Sequence, residues 1–250
     1  MIKTTKMTKL DLTFSRYEEK YLLDEKQYDA ILAFLPEITV PDAFAQYRVN
    51  NIYYDTCSYD IIRRSIEKPM YKEKLRLRYY GDSLDVIPDE RVVFLELKKK
   101  FNGIVYKRRI MLQKSDAERV LREADVSFVD GEFAQVTQEI RHFLSSVSDI
   151  ENRVAISYKR TALTGKNQAD LRITFDTDVA LRSGQEQCNL MQDNLMLMEI
   201  KTATAMPLTL ARFLSRQGIF PAGYSKYKTA YINCIYPQLQ KTQGEKSNYG

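Results

Sequence analysis

Tryptophan is absent from this chain of 250 residues, histidine occurs once, and cysteine, proline and glycine number three, seven and nine. Each shortage excludes something. A single histidine, His142, rules out multi-histidine metal centres. It lies on an expected helix with no cysteine or second histidine at ligand spacing, so it reads as structural or exposed. Cys57, Cys188 and Cys234 are odd in number and widely spaced. They form neither a disulfide framework nor a zinc pattern, and three reduced thiols in a cytoplasmic protein are expected. Scarce glycine and proline argue against a linker-rich array, and no solenoid period is visible. No apolar run approaches about 18 residues, so no transmembrane helix is expected. The opening MIKTTKMTKLDLTF lacks the apolar region of a signal peptide.

What is present is a core-forming, strand-rich composition. Hydrophobic residues make up 44%, with 17 Tyr and 11 Phe, residues that suit strands. Charged residues make up 28%, and the net charge is only +5. Such a mild excess does not mark a nucleic-acid binder, and no open aromatic platform is evident. What matters is whether the basic residues converge.

The most informative stretch is Arg91 to Leu112, RVVFLELKKKFNGIVYKRRIML. Asn102-Gly103 is a strong two-residue hairpin signal. Pairing outward from Phe101 and Ile104 sets Lys98 opposite Lys107 and Glu96 opposite Arg109. Alternation then gathers Phe94, Glu96, Lys98, Lys107 and Arg109 on one face. Val93, Leu95, Leu97, Arg108 and Ile110 take the other. Like charges directly opposite are destabilising. Lys98 facing Lys107 therefore means either an anion between them or a solvated face that uses lysine against edge pairing.

The rest of the chain repeats the design. A strand over 10–23 puts Arg16, Glu18 and Lys20 on one face. Asp24 is the expected N-cap of a helix running to about Leu35. Strands follow at 46–55 and 70–80, with one or two helical turns over 58–65 between them. The second strand aligns Lys72, Lys74, Arg76 and Arg78. Ser115 to Glu118 has the pattern of a capping box, which starts a helix to about Ala124. A second helix is expected over 133–145. Strands at 152–163, 170–181 and 194–202 carry Tyr158 and Arg160, then Arg172, Thr174, Asp176 and Asp178, then Glu199 and Lys201. Pro207 opens a helix to Gln217. Residues 224–232 are of undecided type, and 236–250 are expected to form a disordered tail, above all from Lys241.

A closed sheet must turn one face inward. With helices over its aliphatic outside, these charges would line a lumen. Arginine forks and lysine point charges there would suit an oligophosphate, and glutamates would suit a divalent cation bridging its oxygens.

The succession RYEEKYLL, LRLRYY, FLELKKK, YKRRI, SYKRTAL, LRITFDTDV, MEIK and YSKYKTAY, over about residues 12 to 233, resembles the VTC domain. This is the polyphosphate-polymerase branch of the triphosphate tunnel metalloenzymes. The resemblance implies an α+β fold: an antiparallel β-barrel tunnel of about eight strands with helices packed outside, in a single domain over 10–235. It implies transfer of the ATP γ-phosphoryl group to a growing polyphosphate chain, with Mn2+ or Mg2+ as cofactor. Lys98, Arg76, Arg78 and Glu199 are then the implied catalytic residues. Phosphate binding falls to Lys20, Arg76, Arg78, Lys98, Lys107, Arg109, Arg160, Arg172, Ser225 and Lys226, with Tyr158 a weaker candidate. Glu199 is the implied metal ligand, with Glu18 and Glu96 as the further metal-binding candidates. Partners are ATP and polyphosphate or triphosphate, with no nucleic acid. The regulatory domain and membrane helices of eukaryotic members have no counterpart in this sequence, which leaves a membrane partner and the oligomeric state open. The same channel with water as acceptor would be a metal-dependent triphosphatase. Without turnover it would be a polyphosphate or nucleotide sensor.

Overall fold

The computed structural model describes residues 17–81, 87–102, 104–129, 131–183, 186–192 and 194–247. Arg16, with the start of the first expected strand, and Gly103 of the hairpin loop lie outside them. The elements run β1 (Tyr17–Leu23), α1 (Glu25–Phe34), β2 (Thr39–Asp55), α2 (Asp60–Ile66), β3 (Tyr71–Tyr80), β4 (Val92–Phe101) and β5 (Ile104–Gln113). Then come α3 (Lys114–Glu123), α4 (Ala134–Ser146), β6 (Glu151–Gly165), β7 (Arg172–Ser183), β8 (Glu186–Asn189) and β9 (Met196–Thr202). The chain ends with α5 (Leu208–Arg216), α6 (Lys226–Ala230), a π-helical stretch (Tyr231–Ile235) and α7 (Tyr236–Ser247).

Local chemistry sets several boundaries. Asp24 caps α1 as expected, accepting from the Gln27 amide at 2.8 Å, and the Gln27 side chain reaches back to the Asp24 amide. Helix α3 starts at Lys114 with no side-chain cap, so the Ser115 box does not form. Asn102 takes the left-handed conformation, with φ 45°, that a tight hairpin turn requires. The β4–β5 register is the expected one, with Lys98 opposite Lys107 and Glu96 opposite Arg109.

All pairings are antiparallel, in the order β1-β9-β7-β6-β2-β3-β4-β5, with β8 beside β7. The sheet is strongly curled but not closed, which corrects the barrel expectation. Along the free side of β1, the Ala222 amide bonds to the Lys20 carbonyl at 2.6 Å. The chain around Ala222 takes the place that β5 would need for closure.

The outer face is apolar and helix-covered. Tyr21, Ile173, Phe175, Met198 and Ile200 pack with Ile31 of α1 and Leu210 and Leu214 of α5. Leu75, Leu95, Leu97 and Ile110 pack with Val120 of α3 and Val136, Ile140 and Phe143 of α4. Not every helix lies outside, however. Val49 and Tyr53 of β2 and Val154, Ile156 and Tyr158 of β6 belong to the inner face by register. They are buried under Tyr227, Ala230, Tyr231, Cys234 and Ile235. The segment from α6 through the π-helical stretch therefore roofs part of the concave side.

Two further expectations are corrected. Cys188 of β8 is disulfide-bonded to Cys234, leaving Cys57 as the free thiol. Residues 236–247 are helical, and Leu239 packs against the cluster beneath the roof. No helix among the described residues is long and apolar enough to cross a membrane.

Candidate oligophosphate channel

Strand alternation delivers the charged side chains to the concave face. Register places Asn51 opposite Arg78, Tyr53 opposite Arg76, Arg76 opposite Glu96, and Lys74 opposite Lys98. On the other half of the sheet, Arg160 stands opposite Asp176, Thr174 opposite Glu199, Lys20 opposite Glu199, and Glu18 opposite Lys201. The two halves face each other closely enough for Lys98 of β4 to interact with Glu18 of β1 and Glu199 of β9. The predicted convergence of cations is thus present, in a curled trough with a partial roof.

Three carboxylate centres organise it. Glu96 has no exposed surface. It accepts from Arg76 Nε at 2.7 Å and Arg109 Nε at 2.6 Å, and it pairs with Lys107 Nζ at 3.0 Å and Arg78 Nε at 3.9 Å. Burial opposes its ionisation, but these four cations hold it well below the ordinary carboxylate range. Asp176, also without exposed surface, is gripped by Arg160 through Nε at 2.6 Å and Nη2 at 2.7 Å, and by Lys226 Nζ at 2.6 Å. Glu199 is the third, with Lys201 at 3.0 Å, Arg160 at 3.5 Å, Lys226 at 3.6 Å and Lys20 at 3.7 Å. Glu18 lies beside it, 3.5 Å from Lys20 and 4.0 Å from Lys201.

Neutral partners fix the arginine forks. Arg78 Nε donates to Asn51 Oδ1 at 2.9 Å, and Arg76 Nη1 to the Tyr53 hydroxyl at 3.1 Å. The Tyr158 ring lies beneath both Arg160 and Lys226. These bonds use only part of each guanidinium, whose five donors form a planar fork. Lys74 and Lys98 have no ion-pair or hydrogen-bond partner among the described residues. Burial and the neighbouring Lys72, Lys98 and Lys20 push Lys74 down to about 7. Burial, only partly offset by Glu18, pushes Lys98 down to about 8.

Of the residues predicted from sequence, Lys20, Arg76, Arg78, Lys98, Lys107, Arg109, Arg160, Lys226, Glu18, Glu96 and Glu199 come together here. Arg172 does not join the centre. It sits exposed at a rim, donating to Asp42 at 2.8 Å and to the Tyr47 hydroxyl at 3.3 Å. Ser225 caps α6, accepting from the Lys228 amide, with no bond to the charged cluster. Asp178 leaves the charged face because a bulge in the β6–β7 pairing, with Asp178 at φ 51°, turns it outward to Lys159. Asn51 and Tyr53 were missed, although their spacing of two within QYRVNNIYYD is the signal that aligns them with the face.

The donor chemistry bears on a metal. Both oxygens of Glu96 carry cations within 3.0 Å, so it does not fit as a ligand, whereas only Lys201 comes that close to Glu199 and its other three cations stand 3.5–3.7 Å away. Glu199 with adjacent Glu18 fits a Mg2+-type ion, which is usually held by one or two carboxylates with substrate phosphates supplying the rest. No group of three or more candidate ligands occurs among the described residues.

A family model described as the VTC domain matches residues 15–234. No curated protein sequence matches the chain. Among solved structures, a candidate adenylate cyclase from Bacillus halodurans is similar at 14% identity and TM-score 0.50, over 83% of this chain and 92% of that one. A candidate adenylate cyclase from Vibrio parahaemolyticus is similar at 14% identity and TM-score 0.46, over 87% of this chain and 97% of that one. At such identity the likeness is one of fold.

Proposed function

Because this chain belongs to the VTC domain family, we propose that it is a polyphosphate polymerase, moving the γ-phosphoryl group of ATP onto a polyphosphate end within its basic channel. The observation that carries this reading is the burial of arginine forks and lysines on one inner face, held in place by Glu96 and Asp176. Phosphoryl transfer asks a protein mainly for positioning and charge neutralisation. Arg76, Arg78, Arg160 and Lys226 are pre-positioned cations with donors to spare. They would grip the phosphates of donor and acceptor and spread the charge developing on the transferred group. Lys98 and Lys74, with no carboxylate at salt-bridge distance among the described residues, would meet phosphate oxygens directly. Glu199, with Glu18 beside it, would hold Mn2+ or Mg2+, which supplies Lewis-acid neutralisation of phosphate oxygens when bound. On this assignment Glu96 acts as an electrostatic brace, Arg172 and Ser225 lie outside the reacting centre, and Tyr158 supports two of the cations.

The test is purified protein with ATP and Mn2+, measuring polyphosphate and free phosphate separately. Polymer with ADP is the expected outcome, and Glu199→Gln should lose most of it. Free phosphate alone would mean a triphosphatase, and binding without turnover a sensor.

A further inference from the structure

A buried polar atom that stands without a partner points to a water, an ion or a ligand. Among the described residues the Thr174 hydroxyl is such an atom, and so are Asn50 Oδ1 and Arg182 Nε. By register Asn50, opposite Ser157, and Arg182, opposite Ala155, stand on the outer face of the sheet. Thr174 differs, because it lies on the channel face between Arg172 and Asp176 of β7. It stands opposite Glu199 of β9 on one side and Ala162 of β6 on the other. Ala162 has no polar side-chain atom to offer. The cations nearby are committed to carboxylates, Arg160 and Lys226 to Asp176 and Lys201 to Glu199. A β-branched residue suits a strand. At a position with no exposed surface, however, valine would serve as well without leaving a hydroxyl unpaired. Opposed residues of an antiparallel pair hold their Cβ atoms about 4.5–5.5 Å apart, close enough for one ion to touch both side chains. A hydroxyl beside a carboxylate is a Mg2+-binding combination: P-loop enzymes hold the ion with a Ser or Thr and an Asp, and substrate phosphates complete its shell. Lys201, the cation nearest to Glu199, has a side chain 24% exposed, so it has a path to water when a divalent ion takes its place.

We propose that the Thr174 hydroxyl joins Glu199 as a protein oxygen ligand of the divalent cation that accompanies the phosphate chain. The ion displaces Lys201 from Glu199, and the hydroxyl left idle in the ligand-free protein receives it. The inference rests on the channel reading above and adds to it a metal ligand that is not a carboxylate.

Calorimetric titration of the full chain with tripolyphosphate, once saturated with Mn2+ and once with a chelator present, tests it. Thr174→Val should lose about tenfold in affinity for the manganese complex, the scale on which metal-site partners act. It should keep its affinity for metal-free tripolyphosphate. Its ligand-free melting temperature should not fall, because no bond is lost. T174S and T174A both lose the methyl group, and only T174S should bind the manganese complex as the wild type does. That pair makes the same comparison if the valine variant misfolds. Unchanged affinity of T174V for the manganese complex would overturn the ligand role. An equal loss with and without manganese would assign the hydroxyl to a phosphate oxygen, and a lowered ligand-free melting temperature would show that it already has a partner. Either result overturns the proposal as well. If Glu199→Gln also binds the manganese complex as the wild type does, the metal reading at Glu199 fails, and failure of the wild type to bind tripolyphosphate at all would overturn the channel itself.

Discussion

Glu96 has no exposed surface and contacts four cations. Removing one partner of a buried ion pair typically costs 3–5 kcal/mol, because the remaining charge is left uncompensated. Glu96→Gln should therefore destabilise the ligand-free protein by about that amount. The freed arginines would then need an anion more, so tripolyphosphate should raise the melting temperature of the variant further than that of the wild type. Paired thermal melts with and without tripolyphosphate check both parts. Equal shifts would mean that Glu96 does not brace an anion site.

The lysines make a second residue-scale prediction. Lys74 and Lys98 lose their protons near pH 7 and 8 in the free protein. A bound polyanion favours the charged form and raises both values. Binding should take up protons across and just above this range, and affinity should fall as pH rises through it. At lower pH both groups are already charged, and the uptake should vanish. Calorimetry in buffers of different ionisation enthalpy measures it, and K74M/K98M isolates these two groups from the ligand's own titration. Identical uptake in that variant would contradict the assignment. Most of these residues were legible from alternation in the sequence. What alternation alone could not give was partnership. Glu96 looks like a metal ligand until its four cations are seen, and Arg172 looks central until Asp42 claims it.

At the scale of elements, the segment that carries Lys226 is tied down twice. The Tyr227 hydroxyl bonds to Asp55 at 2.5 Å, and Cys234 is bridged to Cys188 of β8. The bridge closes a separation of 46 residues, which includes β9 with Glu199, and Ser225 and Lys226. The chain-entropy estimate for such a loop is about 4 kcal/mol. Reductant, or Cys188→Ser, should lower the denaturation midpoint accordingly, and thiol labelling of the unreduced, unfolded chain should find Cys57 alone. Three reactive thiols would show that the bridge does not form in solution. Sequence could not supply this pairing, because three scattered cysteines carry no spacing rule and β8 lies in a stretch without strand periodicity. The undecided type of 224–232 has a similar cause. YSKYKTAYI alternates like a strand, but tertiary burial of Tyr227, Ala230, Tyr231 and Cys234 on one side selects helix and then π-helix.

At the scale of the whole molecule, the centre of the concave face gathers, among the described residues, ten cations against Glu18, Glu96, Asp176 and Glu199: Lys20, Lys74, Arg76, Arg78, Lys98, Lys107, Arg109, Arg160, Lys201 and Lys226. Such an excess of inward-facing positive charge is costly unless an anion neutralises it. Antiparallel architecture and inward charge followed from period-two patterning. Closure did not, since it depends on what lies beside β1, and that is an irregular segment with no strand signal. The most direct measurement is an experimental structure of the protein with bound tripolyphosphate. Phosphate density is expected within hydrogen-bond distance of Arg76, Arg78, Arg160 and Lys226, and tripolyphosphate found only on the outer surface, with those side chains unchanged, would contradict an inward-facing anion site.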